Sequence, residues 1–163
     1  MAVSVVLAVE SIADRLVGKI ADRIPNIKVG PGSDPASEMG PLISREHRDK
    51  VAGYVSGASA EGATVVVDGT PRAAGAGYFL DPSLIDGVKP GMRCYDEEIF
   101  GPVLSVMRVS GYEEGLRTIN DNQFGNGTAI FTRDGGVARQ FQFDVNVGMV
   151  GVNVPIPVPV SYY

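Results

Sequence analysis

The chain has 163 residues, 44% hydrophobic and 20% charged, enough to bury the core of one ordinary domain. A net charge of -5 and a pI near 4.8 argue against nucleic acid or an anionic membrane as partner, because phosphate binding needs clustered Lys and Arg. A single cysteine, Cys94, excludes an internal disulfide and fits a reducing compartment.

At the start, Val3, Val6, Leu7, Ile12, Leu16, Val17, Ile20 and Ile24 recur at helical spacing and predict one amphipathic helix over about 2–24, ended by Pro25. The Ala2 to Val9 run lacks the flank of a secretory signal and is too short to span a bilayer. No side-chain cap precedes it, so Met1 is expected to be an internal methionine of a longer protein. Gly30 to Pro35 and Gly40-Pro41 bracket a loop. Ser44 then caps a helix running to about Ala60, with Glu46 favourable in its first turn.

Thr64 to Val67 reads as a strand ending at Asp68-Gly69, and Pro71 to Gly77 as a loose connection. Tyr78-Phe79-Leu80 and Ser83-Leu84-Ile85 read as a strand broken around Pro82. Beyond, Val103 to Val109 is a strand, Tyr112 to Asn122 a helix, Thr128 to Thr132 a strand, Val137 to Val145 a helix and Met149 to Asn153 a strand. That β-α-β-α-β rhythm implies an α/β fold with a mostly parallel sheet covered by helices on both faces. Asn126-Gly127-Thr128 matches a glycosylation sequon but suits a turn into a strand better. The tail, Pro155-Ile156-Pro157-Val158-Pro159-Val160, lacks alternate N–H groups and is expected to run extended along a surface, with Tyr162-Tyr163 as another cut end.

The chemistry concentrates at Tyr95-Asp96-Glu97-Glu98-Ile99-Phe100-Gly101-Pro102. Neighbours on a strand or turn point apart, so Glu97 and Glu98 do not share a proton as a catalytic pair. Glu98 is either a solvated turn residue or an acceptor for a vicinal diol, since an ionised carboxylate takes two O–H bonds. Phe100 is either core or a flat wall for a ring. Cys94 has only Arg93 as a basic neighbour and reads as a buried, inert thiol. His47, the single histidine, reads as a surface imidazole, and one His with one Cys cannot complete a zinc site. No metal site, Ser-His-Asp elbow or glycine-rich phosphate cradle is evident, and Gly135-Gly136 is a helix start.

Glu97 to Pro102 resembles the aldehyde dehydrogenase superfamily, with Gly40-Pro41-Leu42, Phe124 to Gly127 and Gly148 to Asn153 in the superfamily's order. The segments Pro31 to Leu42, Arg45 to Arg48 and Asn153 to Pro159 are similar to the methylmalonate-semialdehyde dehydrogenase subfamily. The resemblance implies the C-terminal part of a three-layer catalytic domain, truncated at both ends, without the dinucleotide-binding domain or the oligomerisation strand. It implies NAD-dependent, CoA-acylating oxidation of malonate or methylmalonate semialdehyde to acetyl- or propionyl-CoA with loss of the carboxylate as CO₂, coenzyme A as co-substrate and no metal. In such enzymes a cysteine thiolate adds to the aldehyde, hydride leaves to the nicotinamide, and the thioester passes to CoA.

By the same resemblance, Glu98 holds the nicotinamide ribose hydroxyls, Phe100 lies beside the nicotinamide, and Asn153 lines the substrate side of the pocket. Cys94 does not match the nucleophile, which would directly precede Met1, so no catalytic residue is assigned and the isolated chain is expected to be inactive. A homo-oligomer is implied, acting in valine, pyrimidine or inositol breakdown, in bacterial cytoplasm or the mitochondrial matrix. Two alternatives stand beside it. One is a CoA-independent semialdehyde dehydrogenase, and the other a degenerate domain used for binding or assembly.

Overall fold

The computed structural model describes residues 3–74 and 76–155. These form two units, one over 4–108 and one beginning at Val109. In the first, strands β1 (Val5–Val9), β2 (Thr64–Val67), β3 (Ser83–Asp86) and β4 (Val103–Val109) make a sheet of order β1-β4-β3-β2. β3 and β4 are parallel, with Ser83 opposite Val103 and Asp86 opposite Val106. β2 runs antiparallel to β3, with a slip in register between Val65 and Val67.

All four residues of β3 are buried, as expected of a strand covered on both faces. Alternation sends Ile85 and Val103 to one side, against Val51, Tyr54, Val55 and Ala58 of helix α2 (Arg45–Ala58). Leu84 and Val106 go to the other side, against Ala13 and Val17 of helix α1 (Glu10–Ala21). Val51, Leu84 and Ile85 lose all exposure, and burying each such side chain is worth about 1.5–3 kcal/mol. The α/β architecture with parallel pairing is therefore as the sequence implies.

The single helix expected over about 2–24 is instead β1 followed directly by α1. Five consecutive apolar residues fit either period, and the β-branched Val5, Val6 and Val9 favour the pleat, where Ser4 O accepts from Ser105 N at 3.0 Å. The missing helix cap is thereby explained: Val9, still extended, opens α1 without a side-chain acceptor. Pro25 lies in a short 3-10 turn, Ile24–Asn26, after α1 has closed. Tyr78 to Leu80 is not a strand; Tyr78 O accepts from Leu42 N at 2.9 Å and fixes the Gly40-Pro41-Leu42 loop. Part of the expected loose connection is another 3-10 turn, Thr70–Ala74. Ser44 caps α2 as expected, its Oγ accepting from His47 N at 3.1 Å. A four-residue helix, α3 (Arg93–Asp96), precedes the Glu97-Glu98 pair.

The second unit holds α4 (Tyr112–Asn120), β5 (Gly127–Ile130), α5 (Gly135–Asp144) and β6 (Met149–Val152). β5 and β6 pair in parallel across α5, from Gly127 opposite Met149 to Ile130 opposite Val152. The expected β-α-β-α-β run is thus divided: β4 bonds into the four-stranded sheet, and β5 and β6 bond to each other. Asp134 caps α5, its carboxylate accepting from Gly136 N at 2.8 Å and Val137 N at 3.1 Å, so Gly135-Gly136 is a helix start. The proline-rich tail beyond Pro155, expected to run extended along a surface, lies outside the described residues.

Candidate functional site

The Glu97 to Pro102 stretch is built by alternately pinning and releasing side chains. Tyr54 OH, from α2, donates a short hydrogen bond to Glu97, and Arg93 Nε lies 3.4 Å from the same carboxylate. The Arg93 guanidinium also sits 4.8 Å over the Tyr54 ring. The tyrosine hydrogen bond, then Arg93, holds the Glu97 carboxyl below its ordinary range. Glu98 is exposed and makes no hydrogen bond or ion pair among the described residues. Ile99 goes inward at 7% exposure, and Phe100 turns outward at 78%.

Phe100 adopts a left-handed backbone, φ +54°, which a bulky L-residue rarely takes. The residues on either side of it are anchored. Ile99 is fixed in the core, and Gly101 lies so close to α2 that a Cβ there would come within 2.7 Å of both Val51 methyls. Pro102 O then accepts from Ser83 N at 2.8 Å and starts β4 in register. The result is an exposed carboxylate with no partner among the described residues and, two residues on, an open aromatic ring.

Beside the ring lies a cavity of about 280 Å³, lined by Met39 to Ile43, His47, Phe100 and Pro102. His47 is not a free surface imidazole. It is half-buried, its Nε2 is 2.7 Å from Phe100 O, and its ring meets the Phe100 ring edge-on at 6.4 Å and 63°. A carbonyl oxygen only accepts, so Nε2 carries the proton. A signal for this existed in the sequence. The Ser44 cap sets His47 on the first turn, four residues before Val51, and so on the helical face that meets Gly101.

Cys94 is 4% exposed, and burial followed by the charge of Glu61 pushes its thiol pKa up. It is buried, as the sequence implied. Asn153 belongs to the second unit, where it too has a left-handed backbone, φ +57°. Its side-chain amide exchanges two hydrogen bonds with Thr132, Thr132 N to Oδ1 and Nδ2 to Thr132 O, both 2.9 Å. Its own N–H donates to Ile130 O at 2.8 Å. Asn153 therefore fixes the turn leaving β6.

The profile described as "Aldehyde dehydrogenase family" matches residues 1–162. The malonate-semialdehyde dehydrogenase of Pseudomonas aeruginosa is 50% identical over 167 residues, covering 100% of this chain and 34% of that protein. The crystal structure of methylmalonate-semialdehyde dehydrogenase from Oceanimonas doudoroffii superposes with a TM-score of 0.92 at 48% identity, over 98% of this chain and 33% of that one. A Sinorhizobium meliloti 1021 structure, described as a methylmalonate-semialdehyde dehydrogenase complexed with NAD, gives 0.90 at 41%, over 99% and 33%. The chain spans about a third of the length of the relatives it matches.

Proposed function

Because the chain belongs to the aldehyde dehydrogenase family, we propose that it carries the nicotinamide-facing rim of an NAD-dependent semialdehyde dehydrogenase that acts on malonate or methylmalonate semialdehyde and passes the acyl group to coenzyme A. The observation that carries this reading is the pair Glu98 and Phe100: an exposed carboxylate with no partner among the described residues, two residues before a ring at 78% exposure.

An ionised carboxylate can accept both hydroxyls of a ribose diol, and a phenyl face can lie against a flat pyridine ring. Glu98 holds the diol, and Phe100 limits the ring's movement and keeps water from that side. Bound NAD supplies the hydride acceptor. Glu97 does not join Glu98 in this, since Tyr54 and Arg93 occupy it. Asn153 sets the substrate-side loop through its bracket on Thr132. The assignment of coenzyme A rests on the likeness of the Asn153 to Pro159 segment to the acylating subfamily. Exposed apolar side chains, with Ile43 at 87% and Phe143 at 76%, favour a homo-oligomer. The lone buried thiol suits a cytoplasmic or mitochondrial-matrix setting.

The thiolate chemistry needs a cysteine other than Cys94, whose burial denies it to a substrate. The chain of 163 residues alone therefore produces no NADH from semialdehyde, NAD and CoA, and production of NADH would overturn this part. In the active enzyme carrying these residues, Glu98→Gln raises KM for NAD about tenfold and leaves kcat nearly unchanged. An unchanged KM would remove Glu98 from the cofactor site. Product formation that persists without CoA would remove the acyl-acceptor assignment.

A further inference from the structure

We propose that His47 is a positioning residue that clamps Phe100 in its left-handed backbone conformation and so presents the ring at the cofactor rim. The significance of the clamp rests on the reading of Phe100 as cofactor-facing; the clamp itself rests on geometry alone. Three contacts converge on two residues. Val51 presses on Gly101 from α2, and one turn earlier on the same helix His47 reaches the Phe100 carbonyl at 2.7 Å. The imidazole also meets the edge of the ring that follows from that carbonyl's orientation, at 6.4 Å. His47 thus holds both the backbone and the side chain of Phe100.

A clamp is needed because the conformation is unfavourable. A phenylalanine at φ +54° lacks the freedom that glycine brings to this region, and its ring gains no burial in compensation at 78% exposure. The flanking anchors, buried Ile99 and the Gly101 contact, restrict where the chain enters and leaves the turn. Among the described residues, the carbonyl between them takes its hydrogen bond from His47 alone. The donor is itself fixed: Ser44 Oγ takes the His47 N–H at 3.1 Å and orders the first turn of α2. Sequence, cap, imidazole and ring form one line of support from α2 to the rim.

The test uses the 163-residue chain, isotope-labelled, as wild type, His47→Gln and His47→Phe. Glutamine places an N–H donor at similar reach, whereas phenylalanine keeps a ring and removes the donor. The one-bond Cα–Hα coupling and cross-correlated relaxation at Phe100 report its φ. Wild type and His47→Gln are expected to stay left-handed, while His47→Phe shifts residue 100 to negative φ with spectral dispersion elsewhere retained. A left-handed Phe100 in His47→Phe, or its loss in His47→Gln, would overturn the clamp. The KM for NAD of the active enzyme carrying these residues gives the second readout. It should match in wild type and His47→Gln and rise about five- to tenfold in His47→Phe, the worth of one ordinary hydrogen bond. Equal KM in all three would overturn the link from clamp to rim. An unchanged KM in Phe100→Ala would overturn the reading of Phe100 instead, and φ at residue 100 would still decide the clamp.

Discussion

Arg108 on β4 grips Asp86 on β3 at two points, Nη2 to Oδ2 at 2.8 Å and Nε to Oδ1 at 3.3 Å. Asp86 lies opposite Val106 in the parallel register, so Arg108, two residues on, projects from the same face of the sheet. That face is the one α1 covers, and Asp14 of α1 meets the same guanidinium at 2.7 Å while Glu10 lies 3.6 Å from it. Asp86 first, then Asp14, raises the guanidinium pKa further above its already high range. One cation therefore joins helix to sheet.

The partners are not equal, and a substitution series separates them. The Asp86 side chain is 12% exposed and that of Asp14 is 89% exposed. Arg108→Met leaves the Asp86 carboxylate shielded and without its cation, at a cost of about 2 kcal/mol. Asp14→Asn removes only a solvated pair, worth about 0.5 kcal/mol or less. Urea midpoints at constant m-value measure both. Equal losses would show that Arg108 acts through α1 and not through β3.

Acid stability depends on Tyr54 and Glu97. The Glu97 carboxyl titrates below its ordinary value when folded, so the folded chain binds fewer protons there than the unfolded one. The stabilisation is complete above the ordinary glutamate range and is lost as pH falls through the folded value. Tyr54→Phe deletes the largest cause, the phenol hydrogen bond, and should return the Glu97 titration towards normal. NMR titration of the Glu97 side-chain carboxyl carbon measures this. An unchanged titration would assign the depression to Arg93 instead.

Features whose physics is local were legible in the sequence. Ser44 as a cap needs only its own oxygen and the next turn, and the split between Glu97 and Glu98 follows from how adjacent side chains diverge. β1 was not legible, because helical and strand periods coincide in a five-residue apolar run. The partner of His47 lies 53 residues away, and the carboxylates around Arg108 come from two other elements. Neither leaves a local trace beyond the spacing of His47 and Val51. The Asn153 bracket was hidden for a related reason: the expected strand runs through Asn153, and its φ of +57° ends that strand one residue earlier.

Gly101 and Gly69 test two kinds of close approach. At Gly101 the obstacle is a side chain, the two Val51 methyls at 2.7 Å from a built Cβ. Gly101→Ala should cost about 1–3 kcal/mol, and adding Val51→Ala should recover part of it. At Gly69 the obstacle is the Asp81 carbonyl oxygen at 1.9 Å, which cannot yield without moving the backbone before β3. Gly69→Ala should exceed about 3 kcal/mol, with no rescue by any side-chain truncation. Thermal unfolding of the three variants gives the order. A mild Gly69→Ala would mean that the loop has room that its contacts do not show.

Asn153 combines conformation with side-chain bonding, and two substitutions at that position separate the terms. Its left-handed backbone is one that asparagine tolerates better than most residues and glycine tolerates best. Its amide supplies an acceptor and a donor to Thr132, in place of the next pair in the β5–β6 ladder. Asn153→Gly keeps the backbone and loses both bonds, a loss of about 1 kcal/mol because the site is exposed. Asn153→Ala loses the bonds and adds the strain of a Cβ at positive φ, for about 2 kcal/mol in all. Hydrogen exchange at the Thr132 amide reports the bracket directly, since that N–H has Asn153 Oδ1 as its acceptor. Both variants should lose protection there, whereas only the alanine variant should also loosen the Asn153 N–H bond to Ile130 O. Retained protection at Thr132 in both would show that the ladder closes without the asparagine, and would remove Asn153 as the residue that sets the loop after β6.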